Sequence, residues 1–145
     1  MRRSISILVG VFLLGNGAGG QQVLDNTELM EQMFAPAYAE LTRAMGHKPA
    51  DRKAWRTVLD PSRRLAELTN LLPMRRGKDF MAKPEWTSST DASRKALLAI
   101  GDAVKQMNYE LTRKRYEAAV ESCNACHKQF DKEAPILKPY VPEYK

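Results

Sequence analysis

Apolar residues along the chain recur every three or four positions. No stretch alternates apolar and polar with period two for long enough to build a sheet. This spacing predicts four amphipathic helices separated by turn signals. The first covers 27–45, with Met30, Met33, Phe34, Ala37, Leu41 and Met45 on one face and Gly46 as its stop. Asp25 followed by Glu28 has the spacing of a capping box. Pro36 falls inside this helix and should kink it, because its ring removes one backbone hydrogen bond and crowds the carbonyl of Gln32. The second helix covers 51–72, with Trp55, Leu59, Leu65, Leu68 and Leu72 inward. Asp60-Pro61 interrupts it and predicts a kink or a division. A basic loop, 73–84, carries Arg75, Arg76, Gly77, Lys78 and Lys83. The third helix covers 90–107, with Ala96, Leu97, Ile100, Val104 and Met107 inward. Gly101 at its centre weakens a helix, and either serves a close approach by another group or serves nothing. The fourth covers 109–132 after a tight connection at Asn108, with Leu111, Tyr116, Ala119, Cys123, Cys126, His127 and Phe130 inward. Pro135, Pro139 and Pro142 then make an extended tail.

Four such helices in one small domain pack most simply as an all-α, antiparallel four-helix bundle. The expected organisation is a helical domain at 21–134 and a Pro-rich tail at 135–145. Composition agrees. From Gln21 onward there are 16 Ala, 12 Leu and 6 Met, against seven Val and Ile together. Strong helix formers dominate and β-branched apolar residues are scarce.

Residues 1–20 read as a secretory signal. Arg2 and Arg3 form a positive start, an apolar run follows at 5–14, and Ala18 and Gly20 give a small-x-small cleavage pattern before Gln21. A membrane anchor is the rival reading, but spanning needs about 20 apolar residues. No cysteine follows the run, so lipid attachment there is not expected. Export would leave 21 basic residues against 17 acidic ones, a net charge of +4 in place of +6. The mature chain would reside in the periplasm of a Gram-negative source, with no stable membrane insertion.

The chemistry concentrates in Cys123-Asn124-Ala125-Cys126-His127. C-x-x-C-H is the attachment signature of c-type haem. Positions 123, 126 and 127 share one helix face, so two thiols can reach the two vinyl groups of one haem while His127 meets the iron as proximal ligand. Three other readings compete. A thioredoxin-like pair would sit at a helix N-terminus in a βαβ setting. A zinc site would need His47 beside His127 and further ligands. A disulfide between positions i and i+3 of a helix is poorly placed. The chain has only two cysteines and two histidines, too few for a disulfide framework or a four-cysteine cluster.

The late motif, within the run Ser122-Cys123-Asn124-Ala125-Cys126-His127-Lys128-Gln129-Phe130, resembles the haem segment of the class II c-type cytochromes, the cytochrome c556 and cytochrome c′ group. The resemblance implies one covalent haem c in a four-helix bundle. Glu28-Leu29-Met30 resembles the cytochrome c556 type, in which a methionine of the first helix is the sixth iron ligand. That implies Met30 as distal ligand, with Met33 as the alternate. Cytochromes c′ usually carry an arginine four residues after the haem histidine, and this chain has Asp131 there.

A Met-ligated haem suits electron transfer. The expected function is therefore a periplasmic mono-haem electron carrier, not an enzyme, that meets redox partner proteins. The alternative is a five-coordinate haem protein that binds NO or CO in the manner of cytochrome c′. A haem peroxidase ranks last, because only His47 is left as an acid–base histidine and it lies in a loop. The resemblance also allows a homodimer through the first two helices. Nucleic-acid binding is not expected, since no recognised module is present. Arg63, Arg64, Arg75, Arg76, Lys78, Arg113, Lys114 and Arg115 read as a solvated basic face, with haem propionates or an acidic partner as rival roles. Trp55 and Trp86 read as packing anchors.

Overall fold

Side-chain caps define where the helices start. The Asp25 carboxylate accepts the Glu28 N–H at 2.8 Å, and the Glu28 carboxylate accepts the Asp25 N–H at 2.8 Å. This is the reciprocal capping box, which satisfies two orphan donors. Asp51 accepts from the Ala54 N–H at 2.7 Å, and Asn108 from the Leu111 N–H at 3.0 Å. The computed structural model describes residues 23–139. The expected signal at 1–20, its cleavage point and the last tail residues lie outside the described residues.

The described chain is all-helical, without strands. Its first helix is a rod made of α1 (Asn26–Leu29), a π-helical turn (Met30–Phe34) and α2 (Ala35–Met45). Three longer helices follow: α3 (Arg52–Leu71), α4 (Pro84–Lys105) and α5 (Tyr109–Phe130). The π turn stands just before Pro36. The proline cannot donate to the preceding turn, and the wider ring closed by the Ala35 N–H on the Met30 carbonyl takes up the fault.

Several expectations need correction. α3 runs unbroken through Pro61, which is buried, so Asp60-Pro61 does not divide it. The Ser62 hydroxyl donates to the Leu59 carbonyl at 2.8 Å in the same turn. α4 starts at Pro84 and not at position 90, because a proline fits the first turn, where its missing N–H costs nothing. Met107 is half exposed, outside the core. α4 has already ended, and Met107 takes a φ of 49° to turn the chain towards α5. Leu59, Leu111 and Ala96 are only partly buried.

Consecutive helices pack along their lengths, whereas the first and last make little close backbone contact. Side chains fix the directions. Arg64 of α3 meets Glu40 of α2 at 3.0 Å. The Trp86 indole, near the start of α4, donates to the Leu72 carbonyl just past α3 at 3.1 Å. Ser93 and Ser122 pair at 2.9 Å between α4 and α5. The Tyr109 hydroxyl, at the start of α5, donates to the Met45 carbonyl at the end of α2 at 2.7 Å. The main core centres on Leu41, Met45, Val58, Leu65, Ile100 and Tyr116. A second cluster forms around Leu29, Leu72, Met81 and Trp86.

Gly101 does permit a close approach. A Cβ there would lie 3.3 Å from Cδ1 of Leu59, on the buried α3–α4 contact. Alanine asks a flexible methyl to give by a few tenths of an ångström, and its helix propensity offsets that strain. A larger side chain has no such offset. Gly101→Leu is expected to lower stability by about 1–3 kcal/mol through overpacking, measured by urea denaturation, with Gly101→Ala staying close to the parent.

Candidate functional site

Cys123, Cys126 and His127 occupy one turn near the end of α5. Within α5 no residue after Val120 is fully buried, and all three side chains are half-buried. The helix is thus packed into the main core over its first half and stands at the margin over its second.

The two thiols face different neighbours. Cys123 lies within electrostatic range of Tyr38 on α2. Cys126 packs on the second cluster, together with the half-buried Met30, Phe34, Phe80 and Phe130. Phe80, Trp86 and Phe130 form an aromatic group with ring centres 5.2 to 5.4 Å apart. The Trp86 and Phe130 rings meet edge to face, a favourable aromatic geometry. Trp86 is therefore a packing anchor, and it borders the cysteine turn. Trp55 is buried in the main core, away from the motif.

Both cysteines are free thiols. Burial pushes the Cys123 thiol up to about 11, and the neighbouring Cys126 adds to it. Burial alone pushes the Cys126 thiol up to about 11. Redox thiols of the thioredoxin kind need the opposite shift, from a helix N-terminus or a cation. The pair lies at the C-terminal end of α5 and not at an N-terminus, and both thiols are shifted the other way.

His127 is held from behind. Its Nδ1 lies 3.1 Å from the carbonyl oxygen of Pro135. A carbonyl oxygen can only accept, so this bond requires the proton on Nδ1, and in the neutral ring the lone pair is then on Nε2. Metal-binding histidines are commonly oriented in this way.

The structure separates the two methionine candidates. Met30 joins the cluster that contains Cys126. Met33, expected on the same face, is 43% exposed. The π turn causes the difference: its extra residue brings Met30 and Phe34 to one side and turns Met33 outward. His47 lies just past the end of α2, in a groove with Arg43, Lys48 and Arg64. That end of α2 meets the start of α5, and α5 is about 33 Å long. His47 and His127 therefore stand at opposite ends of the bundle, so they cannot share a zinc ion.

Arg75 is not part of a free basic face. Its guanidinium donates to the Leu24 carbonyl and to the Asn26 side chain, tying the 73–84 segment to the chain before α1. Arg64 and Arg113 are in exposed ion pairs with Glu40, and with Glu110 and Glu117.

Sequence reasoning missed the parts played by Tyr38 and Asn124. Tyr38 donates to the Lys138 carbonyl at 2.8 Å. Its hydroxyl is pushed up by burial and by Tyr116, so it remains a donor at neutral pH. Asn124 makes two bonds to Leu137: its Nδ2 donates to the carbonyl at 2.9 Å, and its Oδ1 accepts the N–H at 2.8 Å. The weak signal was Ile136-Leu137, an apolar pair set between Pro135 and Pro139 in a segment otherwise read as an extended tail.

The thiol shifts predict a pH profile. Only thiolate alkylates. Raising a thiol from 9.0 to about 11 leaves about a hundredfold less thiolate at pH 7. Alkylation of both cysteines by iodoacetamide in the folded chain with free thiols is expected to quicken about tenfold per pH unit up to about pH 11. A rate that levels off below pH 9 would mean that the thiols are activated and not suppressed. Comparison with protein-family models, with curated proteins and with solved structures finds no match to this chain.

Proposed function

We propose that this chain is an exported mono-haem c-type cytochrome, an antiparallel four-helix bundle that carries electrons between partner proteins in the periplasm. The observation that carries the reading is the turn 123–127. It sets two free thiols and an imidazole on one face of a half-buried helix end, with the imidazole oriented so that Nε2 is the free donor.

The residues fit the group. Cys123 and Cys126 would hold the haem by adding their S–H bonds across its two vinyl groups, a reaction with no leaving group and no net redox change. Their high pKa values keep them as thiols until that addition. His127 would be the proximal ligand through Nε2. The thin backbone packing between the first and last helices, and the half-buried Met30, Phe34, Phe80 and Phe130 beside Cys126, supply an apolar margin that a porphyrin would cover. When bound, haem c would supply a one-electron iron couple.

Met30 would be the distal ligand. It stands on the first helix, and it shares a cluster with Cys126 that Met33 does not join. A thioether on the sixth position resists exchange and raises the potential, as an electron carrier requires. Among the described residues, no helix is long and apolar enough to cross a membrane.

The test is the visible spectrum of the haem-loaded protein with and without carbon monoxide. Wild-type protein and Met33→Ala are expected to be low-spin and unaffected by the gas. Met30→Ala is expected to become high-spin and to bind it. A wild-type protein that is high-spin and shifts with carbon monoxide overturns the electron-carrier reading in favour of a gas-binding one. Absence of covalent haem after expression with a cytochrome c maturation system overturns both.

A further inference from the structure

The segment after α5 does not trail away. Residues 131–139 contain no helix or strand, yet they run back along α5 in the opposite sense, since 127 pairs with 135 and 124 with 137. The Asn124 amide clamps both backbone groups of Leu137. The Tyr38 hydroxyl grips the Lys138 carbonyl from the first helix. Leu137 packs on the main core. Pro135 and Pro139 bracket this stretch and reduce the conformations it loses on docking. The segment is therefore a strap, fastened at one side to α5 and at the other to α2, across the line where these helices pack thinly.

One product of this fastening is the Pro135 carbonyl held 3.1 Å from Nδ1 of His127. We infer that the strap is a positioning device for the haem ligand, with Asn124 and Tyr38 as its positioning residues. The inference rests on the haem reading above. By fixing the Pro135 carbonyl, the strap selects the Nδ1–H tautomer and aims the Nε2 lone pair. It also makes that nitrogen a stronger donor, because an acceptor at Nδ1–H pushes electron density through the ring. A stronger donor favours the ferric state, so the strap lowers the reduction potential against the upward pull of a methionine ligand. Position 124 is one of the two variable places in C-x-x-C-H, and here it is used to carry this anchor.

The test compares wild type, Asn124→Ala and Tyr38→Phe in the full chain. In the haem-free protein, the Leu137 amide of Asn124→Ala is expected to exchange about tenfold faster, the loss of one hydrogen bond. Nitrogen-15 NMR of neutral His127 is expected to find the proton on Nδ1 in wild type and largely on Nε2 in Asn124→Ala. In the haem-loaded protein, both variants are expected to raise the reduction potential and lower the iron–histidine stretching frequency of the ferrous five-coordinate form in a Met30→Ala background. Tyr38→Phe, which removes only the outer tie, should have the smaller effect and serves if Asn124→Ala folds poorly. Faster Leu137 exchange with the His127 tautomer, potential and stretching frequency all unchanged would reduce the strap to packing and overturn the inference, while leaving the haem reading intact. A wild-type chain that takes up no haem removes both, whatever the exchange data.

Discussion

A close-packed interior and a flat reactive edge cannot occupy the same length of helix, and α5 resolves this by dividing its length. Thr112, Tyr116, Ala119 and Val120 are fully buried and lock the first half against its neighbours. From Glu121 to Phe130 no residue is fully buried. The cysteine turn is therefore rigid, because it continues an anchored helix, and still accessible at its edge. Site precision of this kind comes more readily from a helix than from a loop. The second apolar cluster depends on the same division. Its four buried members are too few to cover Phe80 and Phe130, which remain half-buried beside Cys126. Apolar area left at that margin represents about 25 cal/mol per Å2 of burial still to be gained, and a porphyrin is the group proposed to gain it.

Charge plays a smaller part in the stability of this architecture. The ion pairs lie mostly at exposed side chains, and such pairs contribute about 0–1 kcal/mol each. The caps at Asp25, Asp51 and Asn108 are each worth about 1 kcal/mol and sit where the chain must start a helix. Arg75 differs from these ion-paired cations, because its partners are backbone and amide groups near α1 and not a carboxylate. It secures the base of the helix that carries Met30.

The helices and the cysteine motif were legible in the sequence because both are local. A 3.6-residue repeat and a C-x-x-C-H run need no knowledge of what lies far away in the chain. Helix starts were legible where a side chain marks them, as at Asp25 and Asn108, and missed at Pro84, where a proline reads equally well as the end of a loop. Pro61 was read as a kink or a division because its local cost is real, about 3 kcal/mol; tertiary burial on both sides of it in α3 keeps the helix undivided. The strap was legible only as an apolar pair, Ile136-Leu137, between two prolines. Its bonds join positions 38 with 138 and 124 with 137, and three prolines near the end look like any extended tail. Met107 was misread for a related reason: an apolar residue at a helical spacing was counted as core, although the chain had already turned.

Met30 and Met33 show how a backbone fault can separate two residues that helical spacing makes equivalent. In a regular helix both positions fall on the apolar stripe, and nothing in the side chains distinguishes them. Pro36 removes one donor from the helix, and the turn before it widens to a π form in response. One extra residue in that turn moves every later position by about 100° relative to those before it. The stripe can then be kept only by leaving one residue out, and the residue left out is Met33. Phe34 takes the inward position and touches both the main core and the second cluster. It thereby fixes the rotation of the whole first helix against the end of α5. Restoring a regular turn, for example by replacing the proline, would bring Met33 back towards the apolar face and loosen the register that now presents Met30 beside Cys126. The proline that looked like a defect in the helix pattern is what makes the two methionines different.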